Sequence, residues 1–278
     1  MKNTSHSPNQ AGFTLIELSI VLVIIGLIAG GVLVGQDLIR AAEIRSVVDQ
    51  IEGYDAAVNT FRGKYNGLPG DLTTAANFGL ANTNALATTR GRGNGNGLIE
   101  SVGSTGIVGY MGEPAVALNH LGQANLIKEG ITNADYTAIV TVADATMPAA
   151  KLGKGNRMYF TAFQGLHYYL IAGFSGATVT VTSAWAAAPV DAMTPNEAFQ
   201  IDTKIDDGVP STGTVRPVLL ATAATTLAAA GEAGATDAGQ ATPAAGDCWD
   251  SDAPTRYATD TAITRDIVGC QLRIRASF

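Results

Sequence analysis

Histidine is scarce, with three residues in 278, and one of them, His6, sits in a polar stretch near the start. Cysteine is scarcer still: Cys248 and Cys270 are the two, both close to the C-terminus. No G-x-S-x-G, P-loop, H-E-x-x-H or C-x-x-C pattern occurs. Triad or metal chemistry therefore has little to work with, and catalysis is not expected. Charge is thin as well. Only 15% of residues are charged, the 17 basic ones are scattered without a Lys/Arg cluster, and the net charge is −7. Nucleic acid is not an expected partner, because phosphate binding needs a basic face.

Two further absences lie in one place. Proline is missing from Phe13 to Leu68, and charge is missing over the 19 residues from Leu18 to Gln36. A secretory signal would show a small-residue cleavage site after its apolar run. No A-x-A site follows Val34; the chain continues as GQDLIRAAEIRSVVDQIEGYDAAVNTFRGKYNG. There Leu38, Ala41, Ala42, Val48, Ile51, Ala57, Val58 and Phe61 recur at roughly helical spacing among charges of alternating sign. The pattern predicts one helix over 13–65, stopped by Pro69. Its first half, about 13–36, matches the ~30 Å core of a bilayer. Its second half is amphipathic and must lie on something.

Glu17 is the anomaly, since a carboxylate within a membrane span costs about 2.5–3.5 kcal/mol on insertion scales. Near a helix end it can snorkel to the headgroups. Its neighbours point elsewhere. A short polar leader, Met1–Gly12, precedes Phe13-Thr14-Leu15-Ile16-Glu17-Leu18. Over Gly12–Leu18 this closely resembles the junction of type IV pilins and type II secretion pseudopilins.

The resemblance implies a processing scheme. A prepilin peptidase cuts between Gly12 and Phe13 and N-methylates Phe13. Glu17 then serves assembly, as a carboxylate that can neutralise the new α-amine of a neighbouring subunit. The resemblance also implies a location and partners. The chain would be a single-pass precursor in the cytoplasmic (inner) membrane, then part of a periplasmic or cell-surface filament. Its partners would be other copies, related pilins, the peptidase and an inner-membrane assembly platform. Gly26/Gly30 and Gly31/Gly35 form small-xxx-small pairs that let membrane helices approach closely. Many relatives have a proline near Val34; this chain has none there.

The expected fold is α+β and pilin-like. A leader (1–12) and the long helix (13–65) precede a globular domain (66–278), in which an antiparallel sheet packs on the amphipathic half of the helix beside short extra helices. YNGLPGDL (Tyr65–Leu72) leaves the long helix through Gly67, Pro69 and Gly70, and an N-x-x-P-G-D stretch follows the helix in many similar proteins. RGRGNGNGLIE (Arg90–Glu100) faintly echoes a calcium loop, but Arg92 and Gly103 fall at the first and twelfth ligand positions, so it reads as a surface loop. Residues 113–129 read as a second helix, with Pro114 at its first position and Gly130 as its stop. His120 on it reads as a surface or packing residue. Arg157–Phe163 and Leu166–Ala172 read as a hairpin around Gln164-Gly165, Ala177–Thr182 as a strand, and Cys270–Ser277 as another. In that last strand Cys270, Leu272 and Ile274 share one face, and Gln271, Arg273 and Arg275 the other.

Thr194-Pro195-Asn196-Glu197 is a capping box opening a short helix that ends at Gly208. Asp202, Asp206 and Asp207 cluster at its C-terminus, where the helix dipole disfavours negative charge. Lys204, a backbone donor or a bound Ca²⁺ can compensate, or the cluster is a solvated Asp-Asp-Gly turn. Leu219–Gly246 is an Ala/Thr/Gly-rich insertion, too weakly apolar for a second span. The cysteine pair in an exported chain reads as a disulfide. It closes a loop of about twenty residues, roughly 3 kcal/mol in the chain-entropy account. In pilins this C-terminal region is exposed.

Two functions follow from the resemblance. The first is a structural subunit of a pilus-like filament or secretion pseudopilus. The second is a minor, tip-located pilin acting as an adhesin or cargo-binding module, which the length of the chain favours. A DNA-uptake role is disfavoured by the acidic charge.

Overall fold

A computed structural model describes residues 15–80, 93–100, 112–129, 131, 139–141, 147–153, 155–163, 165–174, 178–180, 189–190, 193–217, 248–249, 256–259 and 270–278. Helix α1 runs Leu15–Tyr65 without a break. The chain divides into two compact units, Met1–Ala42 and Glu43–Phe278.

In the second unit α1 buries part of the expected stripe, Ile51, Ala57, Val58 and Phe61, while Val48 is half-buried. Leu38, Ala41 and Ala42, in the first unit, are exposed. Ile44, Val47 and Tyr54 complete the buried face. Fully burying one such side chain is worth about 1.5–3 kcal/mol. The partner surface is an antiparallel sheet in the order β2-β3-β7-β6 (Asn156–Phe163, Leu166–Phe174, Leu272–Arg275, Val215–Pro217). Strand β5 (Pro189–Val190) adds to the far end of β3. Strands β1 (Ile139–Thr141) and β4 (Thr178–Thr180) pair separately.

Register assigns the face toward α1. Tyr169 stacks on Tyr54 with centroids 6.3 Å apart, and its hydroxyl donates to Asp55 at 2.8 Å. Its cross-strand partners Phe160 and Ile274 therefore share that face, as do the Met158/Ile171/Leu272 row and Val215. Gln50 on α1 clamps the 149–151 backbone, donating to Ala149 O and accepting from Lys151 N–H, both at 3.0 Å.

The hairpin matches its sequence reading, with Phe163 paired to Leu166 and Gly165 at φ 78°. Two expectations need correction. Helix α2 spans Glu113–Gln123 and stops well before Gly130. Asn125 takes the left-handed conformation at φ 55°, while Asn125 N–H and Leu126 N–H bond back to Gly122 O and Leu121 O. That is a Schellman stop made by asparagine instead of glycine. Strand β7 is also shorter than Cys270–Ser277, spanning Leu272–Arg275, and its polar face is divided, with Arg275 exposed. Gln271 and Arg273 are 3% exposed, because β7 lies between β3 and β6 and the Arg273 guanidinium covers the Tyr168 ring at 4.9 Å. His120 is a packing residue. It is fully buried, stacks on Phe61 and accepts the Gly70 N–H through Nδ1 at 3.0 Å.

Candidate functional site

The N-terminal part of α1 carries an unusual surface. From Leu15 to Ile39 its large apolar side chains are exposed on every side of the helix. The helix is long and apolar enough to cross a membrane. Such a surface calls for lipid or other apolar helices around it. A side chain built at Gly26, Gly30, Gly31 or Gly35 would meet nothing within 4 Å, so the glycines form smooth, open strips on this surface. Glu17 stands in the first turn, the sole acidic residue from Leu15 to Gln36. A carboxylate there interacts favourably with the positive end of the helix dipole. Gly12 and Phe13 lie outside the described residues.

The aspartate cluster forms as its spacing suggests. One oxygen from each of Asp202, Asp206 and Asp207 lies within 4.8 Å of the others. Helix α3 (Pro195–Ile205) places them, its start fixed by the capping box: Thr194 Oγ1 accepts from Glu197 N–H, and Glu197 accepts from Thr194 N–H. Most of the oxygens are already occupied. Asp206 accepts from Thr214 N–H, Asp207 from Val209 N–H and Thr212 Oγ1–H, and Asp202 from the Tyr257 hydroxyl at 2.8 Å. Calcium takes six to eight oxygens. The turn is therefore partly self-capped, while Asp202 Oδ1 is buried without a hydrogen-bond partner among the described residues. Asp202 is buried, and burial raises its pKa to about 6 against the pull of the Tyr257 hydroxyl and Gly208 N–H.

Cys248 and Cys270 form the disulfide, with Cα atoms 4.8 Å apart. The expected exposure of this region holds for Arg256 but not for most of its other described residues. Cys248, Trp249, Tyr257, Ala258 and Cys270 are all buried. The Tyr257–Asp202 hydrogen bond and the Trp249–Tyr257 bridge fold this segment against α3 and the core instead of leaving it in solvent. The 219–246 insertion lies outside the described residues.

Sequence reasoning missed a second pair of carboxylates. Asp71 and Glu113, both buried, hold the glycine–asparagine loop 93–100 by its backbone. Glu113 accepts from Gly93, Asn94 and Glu100 N–H at 2.8, 3.3 and 2.8 Å. Asp71 accepts from Gly95 and Gly97 N–H at 2.6 and 2.8 Å. Gly93, Gly95 and Gly97 all have positive φ, which turns successive N–H groups toward the acids. Gly70 is required by close approach, since a Cβ there would lie 2.3 Å from Glu113 O. Burial pushes the Glu113 pKa up to about 7, with the Glu100 N–H pulling it down and the Asp71 charge raising it further. The alternating glycines were the sequence signal.

The chain matches the prokaryotic N-terminal methylation motif over residues 7–33, the signature of type IV pilin and pseudopilin precursors. That motif implies processing by a prepilin peptidase, and with the apolar helix it marks a membrane-anchored precursor. No curated protein and no solved structure matches the chain.

Proposed function

We propose that the chain is a structural subunit of a type IV pilus-like or type II secretion pseudopilus filament, assembled through its processed N-terminal helix. The observation that carries this reading is Glu17, a single carboxylate in the first turn of a helix otherwise apolar to Gln36, inside the methylation motif. Cleavage between Gly12 and Phe13 creates an α-amine whose pKa is near 8. Inside a bundle of such helices, Glu17 of one subunit neutralises the amine of another. A charge that is costly alone then sets the register between subunits. The glycine strips let the helices close around that pair. The globular domain is non-catalytic in this reading, and no resident metal supports it. A chelator should leave its melting temperature unchanged. A drop on chelation, reversed by calcium, would restore the aspartate cluster as an ion site.

A minor, tip-located role is the second reading, favoured by the length of the chain. Copy number separates the two. Filaments sheared from cells should contain this chain as a bulk component; a trace amount beside an abundant smaller pilin would place it at the tip.

A further inference from the structure

Two surface clefts of the globular unit meet at one aromatic side chain. The first, about 480 Å³, is lined by Arg62, Asn66, Asp71, Thr73, His167 and Phe278 together with backbone of the glycine loop. The second, about 470 Å³, is lined by Thr214, Arg275 and Ser277 with the same His167 and Phe278. Both volumes fall in the range of ligand sites.

The platform between them is packed on three neighbouring rings. Phe278 is half-buried, held edge-on by Phe160 and Tyr169 at centroid distances of 5.8 and 6.1 Å, and lies 5.0 Å from the His167 ring. Asp55 accepts from both the N–H and the hydroxyl of Ser277, which ties the tail to α1.

Several free donors flank the platform. Arg62 and Arg275 are exposed, and neither guanidinium has a partner among the described residues. His167 Nε2 accepts the Ile99 N–H at 3.1 Å, and burial holds the ring neutral, its pKa pushed down to about 4. Its proton therefore sits on Nδ1, which has no partner among the described residues. Asp71 is the one acidic side chain lining either cleft, and both its oxygens already accept from Gly95 and Gly97.

We propose that the paired clefts bind a chain of acidic sugars, with carboxylates at Arg62 and Arg275 and a sugar ring on the Phe278 face. Guanidinium and carboxylate match in a two-pronged, charge-assisted geometry. The C–H face of a sugar ring carries slight positive charge and suits the negative face of an aromatic ring. Polyphosphate fits less well, since it has no C–H ring face to lie on Phe278.

The test is a calorimetric titration of the full chain in detergent micelles, which needs no filament and so stands apart from the assembly reading. Three ligands are compared: a uronic-acid hexasaccharide, a neutral hexasaccharide of similar size, and a short single-stranded DNA. Binding of the acidic hexasaccharide alone is expected. Arg62→Gln and Arg275→Gln should each weaken it by roughly tenfold. Both positions are exposed, so both variants should melt like the parent protein. No binding of the uronic acid, equal binding of the neutral sugar, undiminished binding by both variants, or tighter binding of DNA would each overturn the proposal.

Discussion

Glu17→Ala should leave the precursor in the membrane and reduce its content in filaments at least tenfold. The two halves of that result have different causes. Removing a carboxylate from an apolar span lowers the insertion cost, by less than the roughly 2.5–3.5 kcal/mol of a charge at the helix centre because Glu17 is in the first turn, so membrane levels should hold or rise. Assembly loses the group that neutralises a buried amine, and leaving one charge of a buried pair alone costs about 3–5 kcal/mol per contact. Repeated along a filament, that loss is enough to stop growth. Glu17→Asp separates charge from reach, since it keeps the carboxylate and shortens the side chain by one methylene. Immunoblots of the membrane and sheared-filament fractions from the same cells measure both halves. Equal filament content in Glu17→Ala would reduce Glu17 to a snorkelling residue at a helix end.

The second large effect concerns stability. Glu113→Ala should destabilise the globular unit by about 2–4 kcal/mol, because it leaves the N–H groups of Gly93, Asn94 and Glu100 without their acceptor. For a domain of this size that is a melting-temperature drop on the order of 10 °C. The penalty should also depend on pH. The folded-state pKa of Glu113 is raised to about 7 from an ordinary 4.5, so the folded protein holds this proton more tightly than the unfolded chain does. Its contribution is fully present below about 4.5 and is lost as pH rises through 7. The difference between wild type and Glu113→Ala should therefore be larger at pH 5 than at pH 8. Taking the difference removes the titrations of Asp202 and His167, of which His167, with its lowered pKa, acts in the opposite direction. Thermal melts of both proteins at the two pH values provide the comparison. A penalty that grows with pH would contradict the burial assigned to Glu113.

The features legible in the sequence were local ones. The helix from Leu15, the hairpin around Gly165 and the capping box at Thr194 each rest on residues a few positions apart. The disulfide was legible by elimination, because the chain has two cysteines. What failed was set by distant neighbours. The alternation in β7 was real, but it could not reveal that Tyr168 would cover Arg273. Asn125 ended α2 early because the next residues close a Schellman turn, a choice that a downstream Gly130 obscured. The Asp71–Glu113 latch joins two acids from distant parts of the chain to a loop that belongs to neither. Glycines at every second position signalled a special backbone; which acids they serve was settled only by packing. The aspartate cluster was found by spacing, yet its occupancy depends on Thr212, Thr214 and Tyr257, which lie beyond the helix.

The most direct test of the assembly account is the intact mass of the chain recovered from sheared filaments. The account predicts one species that begins at Phe13, carries one added methyl group and has lost two hydrogens at Cys248–Cys270. A chain that still begins at Met1, or a processed chain confined to the membrane fraction, would contradict it.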